Sequence, residues 1–170
     1  MEAQPDGVIR ENLIRDQRAL ESRRGSYGPL GSVAANGCGF AALYNLYVLL
    51  GRRPSPGRLL EEIRRNWLRT TLLCGLLGTS PWYVLRRLRA LKGVRLSWYW
   101  NVGRRSVPER HELYFIFYIY GFGAHYAVAE QREGGIAVYN DCGGEGWKDY
   151  LKRAGAWWAA AVGIDRIPSG

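Results

Sequence analysis

The sequence has few residues of the kinds that bind metals or close disulfides: three cysteines and two histidines among 170 residues. Cys38, Cys74 and Cys142 are odd in number and far apart, and no C-x-x-C pair occurs. This pattern argues against a disulfide framework and against a zinc site. We therefore expect no metal and no other cofactor.

Long apolar runs are also missing. No run approaches the ~20 residues that span a bilayer, and the leucine-rich residues 72–77 are too few. Residues 1–20 are charged throughout and lack the apolar core of a signal peptide. We therefore expect a cytoplasmic protein without a transmembrane segment.

The composition suits one folded domain with a basic surface. Hydrophobic residues make up 47% of the chain, enough to bury one sizeable core. The formal net charge is +9, and much of the excess lies in residues 58–69 and 86–92. A solvated basic face is the simplest explanation, and an acidic partner for these helices is the alternative. We do not expect nucleic acid, because no base-reading or RNA-binding motif accompanies the charge.

Helical patterns come first and strand patterns follow, which predicts an α+β fold. Residues 1–35 are predicted to form an N-terminal helix (8–24) or arm and a loop, and residues 36–170 a single domain. A helix over 36–51 is apolar on nearly every side, so it should be buried, and Asn45 within it needs a buried partner. Further helices are predicted over 58–68 and 80–93. Strands are predicted over 94–100, 113–120, 125–131, 136–140 and 157–166, of which the last also permits a helix.

Cys38 stands where the buried helix begins, between Gly37 and Gly39. Unpaired N–H groups and the positive end of the helix dipole favour the thiolate there, which is the nucleophilic form. The two glycines leave room for a substrate. The alternative is that Cys38 is a small buried hydrophobic residue, as free cysteines often are.

His125 opens the first strand of a predicted hairpin, and Asn140 and Asp141 end the second. Side by side at one sheet edge, Asn140 or Asp141 could orient the imidazole, and His125 could act as base for Cys38. The alternative is a satisfied histidine at a sheet edge. The other histidine, His111, follows a polar stretch and is expected to face solvent.

Three segments match a known family: NGCGFAA at 36–42 before a buried helix, AHYAV at 124–128 and IAVYN at 136–140. In the order Cys, His, Asn/Asp they resemble papain-like cysteine peptidases, most closely the small bacterial C39-type peptidases that trim leader peptides. The resemblance implies a thiol protease acting on a peptide or protein. It also implies a helix that carries the cysteine and packs on a C-terminal antiparallel β-sheet. Residues 139–147 resemble the family's Asn-Ser-Trp-Gly segment, which favours Asn140 over Asp141.

One feature of that family is missing, and it leaves the function open. The family places an oxyanion glutamine shortly before the nucleophile, but residues 26–37 contain none. Asn36 is then the candidate oxyanion donor, or only a helix cap. The same constellation also serves acyl or amide transfer, and the missing glutamine with the basic surface fits a non-catalytic papain-like binding module. The candidates for the walls of a substrate groove are Trp82, Trp98 and Trp100. The alternative is that these tryptophans are ordinary core residues.

Overall fold

Helices come first and strands follow along the chain, which confirms the predicted α+β class. The structure is a computed structural model that describes residues 12–15, 17, 26–102, 110–121, 123–133, 135–140 and 151–168. The helices before the sheet are α1 (Val33–Asn36), α2 (Cys38–Leu49), α3 (Pro56–Arg65), α4 (Trp67–Thr70) and α5 (Pro81–Arg89). A 3₁₀ turn over Leu73–Gly75 separates α4 from α5.

The strands form one five-stranded antiparallel sheet. They are β1 (Val94–Trp100), β2 (Leu113–Tyr120), β3 (Gly123–Arg132), β4 (Gly135–Tyr139) and β5 (Ala156–Arg166). Their order across the sheet is β1-β5-β2-β3-β4, so the last strand lies between the first and the second. The predicted strands are confirmed, with ends that move by two residues at most.

Helix α2 is buried on nearly every side, as its composition predicts: eleven of its twelve residues are buried. It packs on β3. The predicted start at Asn36 is wrong, because the backbone at Gly37 departs from helical geometry, with a φ of −85° and a ψ of 11°, and leaves α1 as a separate turn. Gly51 follows the helix with a φ of 74°, a conformation that glycine adopts without strain. In the part of the chain that is described, no helix is long and apolar enough to cross a membrane.

Each face of the sheet carries a cluster of buried side chains. The helices lie against one face, here called the near face, where Phe115 and Val128 join the core around α2. The opposite face, here called the far face, has its own buried cluster, which includes Tyr114 and Ala127. Because side chains alternate along a strand, neighbouring residues of β3 belong to different faces.

The described part of the N-terminal segment docks against α2. The residues described between positions 8 and 24 are not α-helical, and the rest of that predicted helix lies outside the described residues. Leu13 and Ile14 are buried. The Ile14 N–H donates to Asn45 Oδ1 at 2.8 Å, and Asn45 Nδ2 donates to the Ile14 carbonyl at 2.9 Å. Asn45 therefore has the buried partner that its position requires.

His111 is buried, which corrects the prediction that it faces solvent. Its Nδ1 lies 2.7 Å from a carboxylate oxygen of Asp165, and its Nε2 lies 2.7 Å from the Tyr99 hydroxyl. Gly163 leaves the space for the ring, since a Cβ there would lie 2.2 Å from it. Burial opposes ionisation of Asp165, but hydrogen bonds from His111 and from the Glu112 amide outweigh burial and hold the pKa of that carboxyl below its usual value.

Candidate active site around Cys38

Cys38 is the first residue of α2, and its side chain is buried with 7% exposure. Its two glycine neighbours are required by packing. A Cβ on Gly37 would lie 2.4 Å from the Val33 carbonyl oxygen, and one on Gly39 would lie 2.3 Å from Thr79 Oγ1. The glycines therefore allow a tight corner between α1 and α2 and close contact with Thr79. That they also leave room for a substrate stays a prediction.

Two buried tyrosines surround the start of α2. The Tyr27 hydroxyl lies 2.6 Å from Thr79 Oγ1. The Tyr126 hydroxyl donates to the Thr79 carbonyl at 3.4 Å. Burial raises the pKa of Tyr27 and of Tyr126 far above the usual value, and the nearby Cys38 adds to both shifts. Cys38 therefore lies in an apolar, aromatic environment.

We expect these two tyrosines to make the protein alkali-sensitive. Below about pH 10 a tyrosine is neutral in the folded and the unfolded chain alike. Above that pH the unfolded chain loses the proton and the folded chain keeps it. The free energy of unfolding should therefore fall with rising pH, by about 1.4 kcal/mol per pH unit for each tyrosine.

Urea unfolding across this pH range measures that slope. Tyr126→Phe should make it shallower, whereas replacement of the exposed Tyr120 by phenylalanine is the matched control. An identical slope in Tyr126→Phe and the parent chain would contradict the expectation.

His125 lies near the start of β3 and is bonded to the end of β4. Its Nε2 is 3.0 Å from the carbonyl oxygen of Asn140. A carbonyl can only accept, so Nε2 carries a proton, and in the neutral ring Nδ1 is the basic nitrogen. His125 thus contacts the backbone of Asn140 and not its amide group, and the role of Asn140 in orienting the imidazole stays a prediction.

The Asn140 side chain is held by Gln17, a residue that the sequence analysis did not single out. The Gln17 N–H donates to Asn140 Oδ1 at 3.0 Å, and Asn140 Nδ2 donates to Gln17 Oε1 at 3.0 Å. Gln17 Nε2 also donates to the Ala34 carbonyl in α1 at 2.7 Å. Gln17 therefore joins the turn before Cys38 to the residue that holds His125. It is 123 positions from Asn140, and no local pattern marks it.

The structure places Cys38 and His125 on neighbouring elements without a hydrogen bond between them among the described residues. In the β2–β3 register His125 pairs with Tyr118, a residue of the far-face cluster, and the two rings are 5.4 Å apart. The next residue, Tyr126, packs in the near-face core with Cys38. Asp141, the alternative orienting residue, lies outside the described residues, so its role stays a prediction.

Asn36, the candidate oxyanion donor, ends α1 two residues before Cys38. Its Oδ1 accepts from the Ser32 N–H at 3.1 Å, and its Nδ2 donates to the Leu76 carbonyl at 2.6 Å. The amide therefore fastens α1 to the loop after α4, and one Nδ2 hydrogen remains for a substrate. Its role as an oxyanion donor stays a prediction.

The three tryptophans predicted as groove walls line one apolar cavity. Trp82, Trp98 and Trp100 border a space of about 220 Å³ between α5 and the sheet. Tyr126 borders the same space, so the cavity reaches the aromatic environment of Cys38. Within the described residues, no group of histidine, cysteine, aspartate and glutamate side chains could hold a metal ion.

The site therefore contains a cysteine at a helix start, a histidine in a defined tautomer and an apolar cavity nearby. Neither the protein-family models nor the curated proteins that were compared with this chain gave a match.

Proposed function

We propose that the chain is a papain-like cysteine peptidase, with Cys38 as nucleophile and His125 as base. The observation that carries the proposal is the hydrogen bond from His125 Nε2 to the Asn140 carbonyl. It makes Nδ1 the basic nitrogen, on the strand that packs against the helix of Cys38. A nucleophile at a helix start with a base held by a third group is the arrangement that activates a thiol.

The chemistry follows from those positions. His125 Nδ1 takes the Cys38 proton, and the thiolate attacks the carbonyl carbon of a peptide bond. Backbone N–H groups at the start of α2, with Asn36, stabilise the oxyanion. His125 then protonates the leaving amine, and water hydrolyses the thioester. An amine in place of water turns the same steps into acyl or amide transfer.

Proton transfer needs Cys38 Sγ and His125 Nδ1 within hydrogen-bonding reach. In the described structure His125 pairs with Tyr118 of the far-face cluster, whereas Cys38 lies in the near-face core, so the reaction requires the His125 ring to turn toward the start of α2 when a substrate binds. In this proposal the cavity lined by the tryptophans receives an apolar side chain of a peptide or protein substrate, and the enzyme works in the cytoplasm.

Alkylation of Cys38 by iodoacetamide across the pH range tests the proposal. The parent for this experiment is C74S/C142S, so that Cys38 is the one thiol. Between about pH 5 and about pH 7, we expect Cys38 to react at least about tenfold faster than Cys74 does in the matched C38S/C142S chain, because only a paired thiol is thiolate there. His125→Ala should abolish the excess.

A second candidate function is a non-catalytic binding module. Two observations favour it: the Cys38 thiol is almost fully buried, and the His125 ring lies beside Tyr118 of the far-face cluster. Under this alternative Cys38 labels no faster than Cys74, and His125→Ala changes nothing. That result would overturn the peptidase proposal.

A further inference from the structure

The loop between α4 and α5 exposes an unusual number of leucines. The side chains of Leu72, Leu73, Leu76 and Leu77 are 38%, 65%, 53% and 59% exposed. We call residues 72–77 the leucine loop. Three further apolar side chains nearby are exposed. Leu68 and Trp82 flank the loop in sequence, and Leu30 is bonded to it through the backbone. Several large exposed apolar side chains on one loop are typical of an interaction site.

The leucine loop is ordered and strained. Leu73 and Cys74 have φ angles of 44° and 58°, in the left-handed region that residues other than glycine and asparagine rarely adopt. Hydrogen bonds fix the loop to its surroundings: the Leu30 N–H donates to the Cys74 carbonyl at 3.0 Å, and the Asn36 side-chain Nδ2 donates to the Leu76 carbonyl. Backbone strain that the surroundings maintain is a feature of functional sites. Here it presents leucine side chains to solvent.

Positive charge lies next to the leucine loop. Arg69 and Arg86 line a polar cavity of about 380 Å³, which they share with Trp82. The third arginine of that cavity, Arg87, is paired with Glu62. Among the described residues, neither Arg69 nor Arg86 forms an ion pair. Two uncompensated guanidinium groups therefore stand beside projecting apolar side chains.

We propose that the leucine loop docks this protein on an anionic lipid bilayer. Leucine side chains would enter the interface, Trp82 would lie at the level of the head groups, and Arg69 and Arg86 would bind lipid phosphates. Side chains that project from a loop suit a bilayer, which accommodates them without a matching cavity. The proposal concerns attachment and does not depend on the peptidase reaction.

Sedimentation of the full chain with lipid vesicles tests the proposal. We expect binding to phosphatidylcholine vesicles that contain phosphatidylglycerol, and weaker binding as salt rises. The variant L73N/L77N should bind at least about tenfold more weakly, because two apolar side chains leave the interface. Asparagine tolerates a positive φ, so the loop should fold. Ile167→Asn is the matched control, since Ile167 is also 53% exposed and lies at the end of β5.

A second pair of variants tests the charge. R69Q/R86Q should remove the preference for phosphatidylglycerol. The control is Arg153→Gln, at another exposed arginine, which should leave that preference unchanged. Unchanged binding by L73N/L77N would overturn the proposal, because attachment would then be electrostatic alone. Failure of the parent chain to bind either vesicle type would also overturn it, and a dimer that L73N/L77N abolishes would then show that a second copy covers the leucines.

Discussion

Replacing Gly75 by alanine is expected to lower the free energy of unfolding by about 4 kcal/mol or more. Gly75 has a φ of 95°, and a Cβ there would lie 1.8 Å from the Tyr27 carbonyl oxygen. That oxygen belongs to the backbone, so no side-chain rotation relieves the clash. The turn over Leu73–Gly75 would have to separate from the residues that lead into α1. The change would also displace Tyr27, whose buried hydroxyl lies 2.6 Å from Thr79 Oγ1.

Gly93 provides the matched control. Its φ is 73°, but a Cβ there would meet nothing within 4 Å. Gly93→Ala therefore carries only the cost of the left-handed conformation, about 1–2 kcal/mol. Thermal unfolding separates the two, because each kcal/mol shifts the melting temperature of a domain of this size by about 2–4 °C. Equal shifts for the two variants would show that the turn at Gly75 does not pack against the Tyr27 backbone as closely as described.

The strands could be predicted because their signals are local. β2 is a continuous run of apolar and aromatic residues, and the two glycines at 134–135 mark a hairpin. The order of the strands could not be predicted. β5 lies between β1 and β2, and that position depends on pairings such as Val94 with Arg166, far apart in the chain.

His111 shows why a local pattern is insufficient for a single polar residue. Its charged neighbours indicate a solvent-facing loop, but its partner Asp165 is 54 positions away and its space is provided by Gly163. Gln17 is the same case at the candidate site, since a charged N-terminal stretch contributes a residue bonded to Asn140.

The sequence predicts which helix and strands carry the candidate site residues, but not the directions in which their side chains point. The buried helix with Cys38 near its start, the strand of His125 and the adjacent Asn140 all follow from the sequence. The face on which His125 lies does not, because a shift of one residue along a strand exchanges the two faces. His125 and Tyr126 are neighbours, and nothing in the sequence around them fixes which one faces α2.

The second large effect is expected at Asn45, a fully buried residue whose side chain makes two hydrogen bonds to Ile14. Asn45→Ala should lower the free energy of unfolding by about 3–5 kcal/mol. If the segment stays docked, an N–H and a carbonyl of Ile14 are left buried without partners, at about 1–3 kcal/mol each. If it detaches, the burial of Leu13 and Ile14 is lost, which costs about 1.5–3 kcal/mol for each side chain.

Urea unfolding measures this effect, and Asn66→Ala is its control. Asn66 is exposed and donates to the Glu62 carbonyl at the end of α3, so its loss should cost about 0.5 kcal/mol. A loss at Asn45 no larger than at Asn66 would show that the N-terminal segment does not dock as described.

Asn45→Asp distinguishes lost hydrogen bonds from lost volume. The carboxylate keeps an acceptor for the Ile14 N–H but has no donor for the Ile14 carbonyl, and burial disfavours its charge. Its pKa in the folded chain should therefore rise above the unfolded value of about 3.9, so stability is regained as the pH falls and the carboxyl gains a proton to donate. Asn45→Ala should not recover in this way. The same segment carries Gln17, which is bonded to Asn140, and Asn140 is bonded to His125. Under the peptidase proposal, both variants should therefore also slow the alkylation of Cys38.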